Sequence, residues 1–225
     1  VSNISSVPSV RNKGQNVSAS VRVSRSGGQL SASSYVLVKL YASSDQNITT
    51  SDTEIASSSS SDYLSSILNS SGSQTRTLSG STSSLSAGNY YIGAIVDPTN
   101  YHAETNEGNN SRSNSSATII GQLRVTSPSS GDTWQMGTQR TVSWTRSSNV
   151  TGELQIQLYK GSQDLNVLGR PSVTAGSATV TVPSDISAGS DYRISISALS
   201  GQVWDYGDDF SISNPPQQIG RASCR

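Results

Sequence analysis

Residues 89 to 96 read Asn-Tyr-Tyr-Ile-Gly-Ala-Ile-Val, and the fold of the first half of the chain is inferred from this run. In an extended strand, successive side chains point to opposite faces of the sheet. The side chains at positions 90, 92 and 94 therefore share one face, and those at 91, 93 and 95 share the other. Because both sets are apolar or small, we predict a central strand that is buried on both faces.

Alternation of apolar and polar residues recurs on either side of this run. Val17, Ala19, Val21 and Val23 would share one face of a strand. No stretch shows the three- and four-residue spacing of an amphipathic helix, and Gly, Pro and Ser interrupt every candidate. Further predicted strands of the first half lie at residues 36–40, 64–68, 75–78 and 114–120.

The strand pattern starts again after Gly121, where six short alternating segments are separated by turns that contain glycine. Such spacing is typical of antiparallel sandwiches of about 100 residues. We predict an all-β protein of two tandem immunoglobulin-like antiparallel β-sandwich domains, residues 1–120 and 122–213. Pro215-Pro216 favours extended backbone, so residues 214–225 are predicted to form an extended tail. The six segments are 123–125, 142–144, 154–158, 178–182, 192–196 and 210–212.

Composition excludes several classes of function. The 225 residues include 15 basic and 15 acidic side chains, with no basic run to neutralise phosphates, so a nucleic-acid partner is not expected. No run approaches the roughly 20 apolar residues of a membrane span. Only 13% of residues are charged, and polarity comes mainly from Ser, Thr, Asn and Gly. This surface chemistry favours an extracellular or cell-surface location.

The end of the first half carries a family resemblance. The segment Asp97-Pro-Thr-Asn-Tyr-His-Ala-Glu-Thr-Asn-Glu-Gly-Asn-Asn110 follows a Gly-Asn-Tyr-Tyr strand. It resembles the closing hairpin of CARDB, the cell-adhesion-related domain found in bacteria, and residues 40–52 resemble a strand and loop of the same family. The resemblance covers about residues 1 to 120.

The second half resembles a different family. The motifs are Thr126-Ser-Pro-Ser-Ser-Gly-Asp-Thr-Trp134, then Thr141-Val-Ser-Trp144, and Val203-Trp-Asp-Tyr-Gly-Asp-Asp-Phe210 near the end. They resemble the serine/threonine-rich, glycosylphosphatidylinositol-anchored domain of fungal cell-wall proteins. Together the two resemblances imply extracellular sandwiches for adhesion, display or wall architecture rather than catalysis.

Two oxygen-rich loops are candidate Ca²⁺ sites, because Ca²⁺ prefers six to eight oxygen ligands. Such side chains also cap turns by accepting backbone hydrogen bonds, and we favour capping for the second loop. No other cofactor is expected. The first loop contains Asp45, Asn47, Thr49, Ser51, Asp52 and Glu54, and the second contains Asp97, Asn100, Glu104, Asn106, Glu107 and Asn110.

Seven asparagines lie two residues before Ser or Thr with no intervening Pro, which makes them candidate N-glycosylation sites. About four such matches would arise by chance under this motif rule in a chain so rich in Ser and Thr. The excess therefore suggests glycosylation only weakly. The seven are Asn3, Asn16, Asn47, Asn69, Asn109, Asn114 and Asn149.

Three tryptophans are candidates for stacking on sugar rings, although most large aromatic residues in sandwiches belong to the core. Trp144 alternates with Val142 and is predicted to be buried. Trp134 and Trp204 lie near turns and are the candidate ligand-binding residues. His102 is the only imidazole, and we assign no catalytic residue.

The sequence therefore supports two functions of different class. The first is a non-enzymatic extracellular structural or adhesive protein, glycosylated, that repeats in a cell-surface fibre through donated strands. Residues 1–7 and the Pro-rich tail are the candidate donor arms, because extended arms can pair with open sheet edges. The alternative is a carbohydrate-binding accessory region of a larger secreted protein, with a cell-wall or surface polysaccharide as its partner.

Overall fold

A computed structural model describes residues 1–25, 36–59 and 72–216 of the chain. The chain separates into two compact units, residues 1–121 and 122–225. In the described residues, β-strands dominate and helix is limited to two 3₁₀ turns, Glu107–Asn109 and Val173–Ala175. The predicted all-β class with two immunoglobulin-like sandwiches is confirmed. The predicted strand at 64–68 lies outside the described residues.

The first unit packs two sheets against each other. A three-stranded sheet has the order β1-β3-β6, and a larger sheet has the order β2-β9-β7-β4-β5 with β8 also paired to β7. All pairs are antiparallel except β2 with β9. The strands are β1 Asn3–Ser5, β2 Val10–Asn12, β3 Asn16–Ser24, β4 Val38–Ser43, β5 Thr53–Ser57, β6 Ser73–Ser81, β7 Gly88–Val96, β8 Ser111–Ser113 and β9 Thr118–Gly121.

The second unit repeats this arrangement strand for strand. Its sheets have the orders β10-β12-β15 and β11-β18-β16-β13-β14, with β17 also paired to β16. The parallel pair here is β11 with β18. The strands are β10 Leu123–Ser127, β11 Thr133–Gln135, β12 Gln139–Arg146, β13 Leu154–Lys160, β14 Gln163–Gly169, β15 Ser177–Thr181, β16 Gly189–Ala198, β17 Val203–Tyr206 and β18 Phe210–Ser213.

Alternating apolar side chains form the core between the sheets of each unit. In the first unit, every second residue of β3 from Val17 to Val23 is buried, as the sequence predicts. In the second unit, Leu154, Ile156 and Leu158 of β13 are fully buried. Burial of apolar area at about 25 cal/mol per Å² is what stabilises such cores.

Strand β7 is buried on both faces, which confirms the prediction from residues 89–96. Ile92 and Ala94 belong to the main core. On the opposite face, Ile95 forms a second apolar cluster with Tyr41 and Ile48. Ile48 comes from the loop after β4, which covers this face, and its side chain occupies the space that a side chain at Gly93 would need.

Candidate functional site

The outer face of the larger sheet in the second unit carries two exposed aromatic side chains. They lie on β17, where Val203 is buried while Trp204 and Tyr206 are 39% and 44% exposed. The period of two in a strand explains this, because 204 and 206 share the face opposite to 203 and 205. The sequence predicts Trp204 as a ligand contact, and the structure places it on an accessible surface.

Asp205 holds β17 in place from its inner side. Its carboxylate Oδ2 accepts a hydrogen bond from the backbone N–H of Val125 at 2.8 Å. Val125 belongs to β10 of the opposite sheet, where the register shifts between Val125 and Ser127. The Asp205 side chain thus ties the two sheets together directly behind the two exposed aromatic rings.

The exposed rings continue across the sheet as a row. The centroids of the Trp204 and Tyr206 rings are 5.5 Å apart with an interplanar angle of 66°. The Tyr206 ring meets Tyr159 of β13 at 5.6 Å and 73°. Burial, and then a hydrogen bond with Tyr206, raise the pKa of the Tyr159 hydroxyl above its ordinary value. The Tyr159 hydroxyl is therefore neutral at physiological pH.

One guanidinium flanks this row. The Arg193 guanidinium carbon lies 5.8 Å from the centroid of the Tyr206 ring, within the range of a cation–π contact. Its Nε donates to Oδ1 of Asp209 at 2.9 Å. The positive charge is therefore matched by a carboxylate beside the ring.

Amide and hydroxyl groups lie in register with the aromatic side chains. Ser197 of β16 pairs with Trp204 on one side and with Gln155 of β13 on the other. One step along, Ser195 pairs with Tyr206 and with Gln157. Gln155 Nε2 donates to Oε1 of Gln157 at 3.1 Å, and Gln157 donates to Asp164. These groups form a polar strip beside the rings.

The polar strip leads into an open depression of about 610 Å³. Gln155 and Ser197 form part of its lining, together with the turn at residues 199–201. Arg170 and Glu153 also line it and are ion-paired, with Nη1 and Oε1 3.3 Å apart. The sequence gives little sign of this depression, because its lining comes from segments that are far apart in the chain.

The burial of Trp134 corrects the prediction that this residue contacts a ligand. Its side chain is only 5% exposed, and its ring packs against Phe210 with centroids 4.7 Å apart. Trp134 lies on β11, which pairs with β18 and so turns the ring into the core. Trp144 is also buried, as predicted, and its Nε1 donates to the carbonyl of Val173 at 2.8 Å.

The first candidate Ca²⁺ loop, residues 45–54, uses its carboxylates to order its own backbone. Asp45 Oδ1 accepts from the backbone N–H of Asn47 at 2.7 Å. Asp52 Oδ2 accepts from the backbone N–H and the hydroxyl of Thr49 at 2.7 and 3.2 Å. Asn47 is exposed. Such contacts are those of side chains that cap turns.

The second candidate loop, residues 97–110, has the same character. Asp97 is 6% exposed, and its two carboxylate oxygens accept from the backbone N–H groups of Tyr101 and His102 at 3.0 and 2.7 Å. Glu107 accepts from the backbone N–H of Glu104 at 2.7 Å and from Asn110 Nδ2 at 2.8 Å. When the Asn100 amide is oriented so that its nitrogen faces an acceptor, that nitrogen also donates to Glu107 at 2.9 Å.

The structure does not bring the two loops together. Strand β4 pairs with β7 from Val38 opposite Val96 to Ser43 opposite Tyr91. The second loop follows Val96 and the first follows Ser43, so they lie at opposite ends of this ladder, roughly 17 Å apart along the strands. Among the described residues, no group of three or more His, Cys, Asp or Glu is arranged to hold a metal ion. Calcium binding stays a prediction of the sequence.

The candidate glycosylation sites differ in exposure. Asn114 is half-buried, its oxygen accepts from the backbone N–H of Ile92, and its Nδ2 donates to the carbonyl of Ser116. Asn149 is half-buried, and its oxygen accepts from the hydroxyl of Ser147 at 2.7 Å. Asn69 lies outside the part of the chain that the structure describes. The exposed members of the set are Asn3, Asn16, Asn47 and Asn109.

The predicted N-terminal donor arm lies in its own domain in this structure. Residues Asn3–Ser5 form β1 and pair with β3. Ile4 is 9% exposed and joins the core of the first unit. Residues 217–225 of the predicted tail lie outside the described residues. Of the helical turns in the described ranges, none is long and apolar enough to cross a membrane.

The fold defines the class of protein as a tandem of immunoglobulin-like β-sandwiches. The CARDB family model matches residues 1–114, which is half of the 225 residues. The chain belongs to the CARDB family, as the motifs at residues 40–52 and 97–110 predict. Residues 127–212 match the Kre9/KNH-like N-terminal Ig-like domain. That match supports an immunoglobulin-like second domain, and it carries no evidence of a lipid-anchored, serine/threonine-rich one.

The solved structures that match this chain share little sequence with it. Fibronectin(III)-like modules of Clostridium thermocellum CbhA are 12% identical, with a TM-score of 0.29 and coverage of 99% of this chain and 97% of that one. A marsupial T cell receptor is 14% identical, with a TM-score of 0.30 and coverage of 98% and 75%. At these TM-scores neither likeness supports a statement about function. No curated protein matches the chain.

Proposed function

We propose that this chain is a non-enzymatic extracellular protein with an adhesive or structural role. The observation that carries the proposal is the tandem of two sandwiches with the same strand order, the first of which belongs to the CARDB family. The cell-adhesion role that the family's full name describes is the role proposed here for this chain. The exposed aromatic side chains of the second unit, Trp204 and Tyr206, lie on an open sheet face. An open face suits contact with a large partner.

The outer face of the smaller sheet in the first unit supports the extracellular location. It presents hydroxyl groups across the ladder between β3 and β6, with Ser18 donating to Ser79 at 2.9 Å and Ser20 lying 3.3 Å from Thr77. Arg22 Nε donates to Ser73 at 2.8 Å on the same face. A strand surface of hydroxyls with few charges agrees with the overall composition, in which Ser and Thr carry the polarity.

The assembly we propose is a fibre that forms by exchange of β1 between copies. Strand β1 is three residues long, lies at the edge of its sheet, and is anchored in the core by Ile4 alone among its side chains. A short edge strand can leave its own sheet and pair with the same edge of a neighbour at little net cost. The intramolecular pairing seen here is then the closed form of the same contact.

Sedimentation velocity at increasing concentration tests this assembly. The wild-type chain should form oligomers, and Ile4→Ser should shift the distribution towards the monomer because it weakens the anchor of β1. Ser5→Ala, on the same strand but exposed, is the matched control and should behave as wild type. A wild-type chain that stays monomeric throughout, or oligomers that persist after deletion of residues 1–7, would refute strand exchange.

Glycosylation belongs to the same proposal. We propose that the exposed asparagines Asn3, Asn16, Asn47 and Asn109 accept glycans in material from the native source, and that Asn114 does not. The Nδ2 atom to which a glycan would be attached is hydrogen-bonded in Asn114. Intact mass equal to the polypeptide value, or a glycopeptide that contains Asn114 alone, would contradict this assignment.

An adhesion assay tests the proposed function itself. Beads coated with the purified chain should bind to one another or to cells of the source organism, whereas beads coated with serum albumin should not. The unfolded chain, coated at equal density, is the second control, since adhesion should require folded sandwiches. Coated beads that behave like albumin beads in both tests would contradict an adhesive role.

A further inference from the structure

We propose that the aromatic row of Trp204, Tyr206 and Tyr159, with the adjoining depression, binds a neutral polysaccharide. The inference rests on the proposed extracellular role, because an extracellular chain is exposed to such polymers. It specifies the chemical class of the partner. The row is accessible, since Trp204 and Tyr206 are 39% and 44% exposed. Soluble proteins seldom leave neighbouring large aromatic side chains on one sheet face unless that face contacts a partner.

The chemistry of the surface favours sugar over an apolar partner. Each aromatic side chain has a hydrogen-bonding group at its tip, and such rings suit surfaces that are apolar on one side and wet on the other. Hexose rings have the same dual character, with C–H groups on their faces and hydroxyls around their edges. The amide of Gln155 and the hydroxyl of Ser197 lie beside the rings and are half-buried, and such groups both donate to and accept from hydroxyls.

The charges around the row favour a neutral polymer. Arg193 is ion-paired with Asp209, with Nε and Oδ1 2.9 Å apart. Arg170 at the depression is ion-paired with Glu153 at 3.3 Å. Because each of these guanidinium groups already faces a carboxylate, an anionic polymer would have to displace that carboxylate to bind.

The extent of the surface favours a chain over a single sugar. Trp204 and Tyr206 are two residues apart on β17, and Tyr159 is reached across β16 through its pairing with Arg193. The depression adds a space of about 610 Å³ next to Ser197, which faces Trp204. Several adjacent sugar rings would be needed to cover both parts.

Affinity electrophoresis of the full chain tests the proposal. The probes are a mixed-linkage β-glucan, a mannan, a xylan and a dextran. At least one should retard the wild type, and sodium chloride should not abolish the effect because no net charge attracts the polymer. Trp204→Ala and Tyr206→Ala should each weaken binding by about tenfold or more. Tyr101→Ala is the matched control, because Tyr101 is a 75% exposed aromatic residue of the first unit.

Fluorescence provides an independent readout. Trp134 and Trp144 are buried, so a change in tryptophan emission on addition of polysaccharide should come from Trp204. Trp204→Phe should retain binding in electrophoresis and lose the emission change. Far-UV circular dichroism of every variant confirms that the sandwich is intact.

Any one of the following results would overturn the proposal. One is that none of the four polysaccharides binds. Another is binding that Trp204→Ala and Tyr206→Ala leave unchanged, or that occurs only with the anionic polymer polygalacturonate and disappears in salt. The last is a loss of self-association in Trp204→Ala without any binding of glycan, which would assign the face to a second copy of the chain. Bead adhesion without glycan binding would refute this inference and leave the proposed function standing.

Discussion

The side chain of Ile48 occupies the space that a side chain on Gly93 would need. This relationship explains how the loop after β4 covers the outer face of β7. A Cβ at position 93 would also lie 2.8 Å from the carbonyl oxygen of Arg112 in the neighbouring β8. Glycine is therefore required here for close approach, and not for an unusual backbone conformation.

Gly93→Ala should destabilise the first unit by about 1 to 3 kcal/mol, because forced overpacking displaces both a side chain and a backbone. Gly88→Ala on the same strand is the matched control and should cost less, since its nearest new contact is the Tyr90 ring at 3.2 Å. Denaturant unfolding followed by far-UV circular dichroism measures both. Equal stability of Gly93→Ala and wild type would show that Ile48 does not pack as described.

Asp97 should be one of the most sensitive polar positions of the chain. Its backbone is left-handed with φ of 48°, and its carboxylate accepts two backbone hydrogen bonds. Asp97→Ala should cost about 2 to 3 kcal/mol, because hydrogen bonds to charged groups are lost at a buried site. Asp97→Asn should cost less, since Asn tolerates this backbone and keeps one acceptor.

Asp45→Asn is the control for the Asp97 variants. Asp45 is exposed, and its carboxylate accepts a hydrogen bond from the backbone N–H of Asn47. Its substitution should change the free energy of unfolding by less than about 0.5 kcal/mol. An Asp97→Ala variant no less stable than Asp45→Asn would contradict the role of Asp97 in ordering its loop.

Removal of calcium should leave the melting temperature unchanged. The carboxylates of Asp52, Asp97 and Glu107 already accept hydrogen bonds from their own loops. A metal ion would have to replace those donors. Differential scanning calorimetry in EDTA and in excess CaCl₂ makes the comparison. The opposite result is a higher melting temperature in CaCl₂ that is lost in Asp97→Asn or Asp52→Asn. That result would establish the calcium site that the sequence predicts.

Glu104→Gln should stabilise the chain slightly at neutral pH. Partial loss of hydration raises the pKa of the Glu104 carboxyl, and the negative charges of Glu107 and Asp97 raise that pKa further. A carboxyl with a higher pKa in the folded chain favours folding when protonated, and that contribution is lost as pH rises from its ordinary pKa through the raised value. The side chain is exposed, so the gain should be under about 1 kcal/mol.

The pH dependence distinguishes this electrostatic stabilisation from a stabilisation that does not depend on the charge of Glu104. The gain from Glu104→Gln should be present at pH 7 and absent near pH 4, where the wild-type carboxyl is also protonated. Glu54→Gln is the control, because Glu54 is paired with Lys39 at 2.8 Å and should gain nothing. A gain from Glu104→Gln that is the same at both pH values would contradict the electrostatic origin.

Strand periodicity predicts the cores of both sandwiches because it reports which side chains can face inwards together. It fails for short or polar edge strands. Strand β14, Gln163–Gly169, is mostly exposed and lies at the edge of its sheet, and Leu168 breaks the short alternation of Leu165 and Val167. Strand β1 has a single buried residue, Ile4, and three positions define no period.

The candidate site is only partly visible in the sequence. Trp204 is found from its place beside a turn, and the spacing to Tyr206 could have identified the second ring. Tyr159 and Gln155 come to the site because β13 pairs with β16, and no local sequence pattern indicates which strands become neighbours. Trp134 is wrongly predicted for the same reason, because its burial depends on the pairing of β11 with the distant β18.

Immunogold electron microscopy of intact cells of the source organism tests the central claim most directly. An antibody raised against the purified chain should label the outer surface without permeabilisation, along fibres if β1 is exchanged between copies. Antibody blocked with excess purified chain is the control. Labelling that appears only after the cells are opened would contradict an extracellular adhesive or structural role.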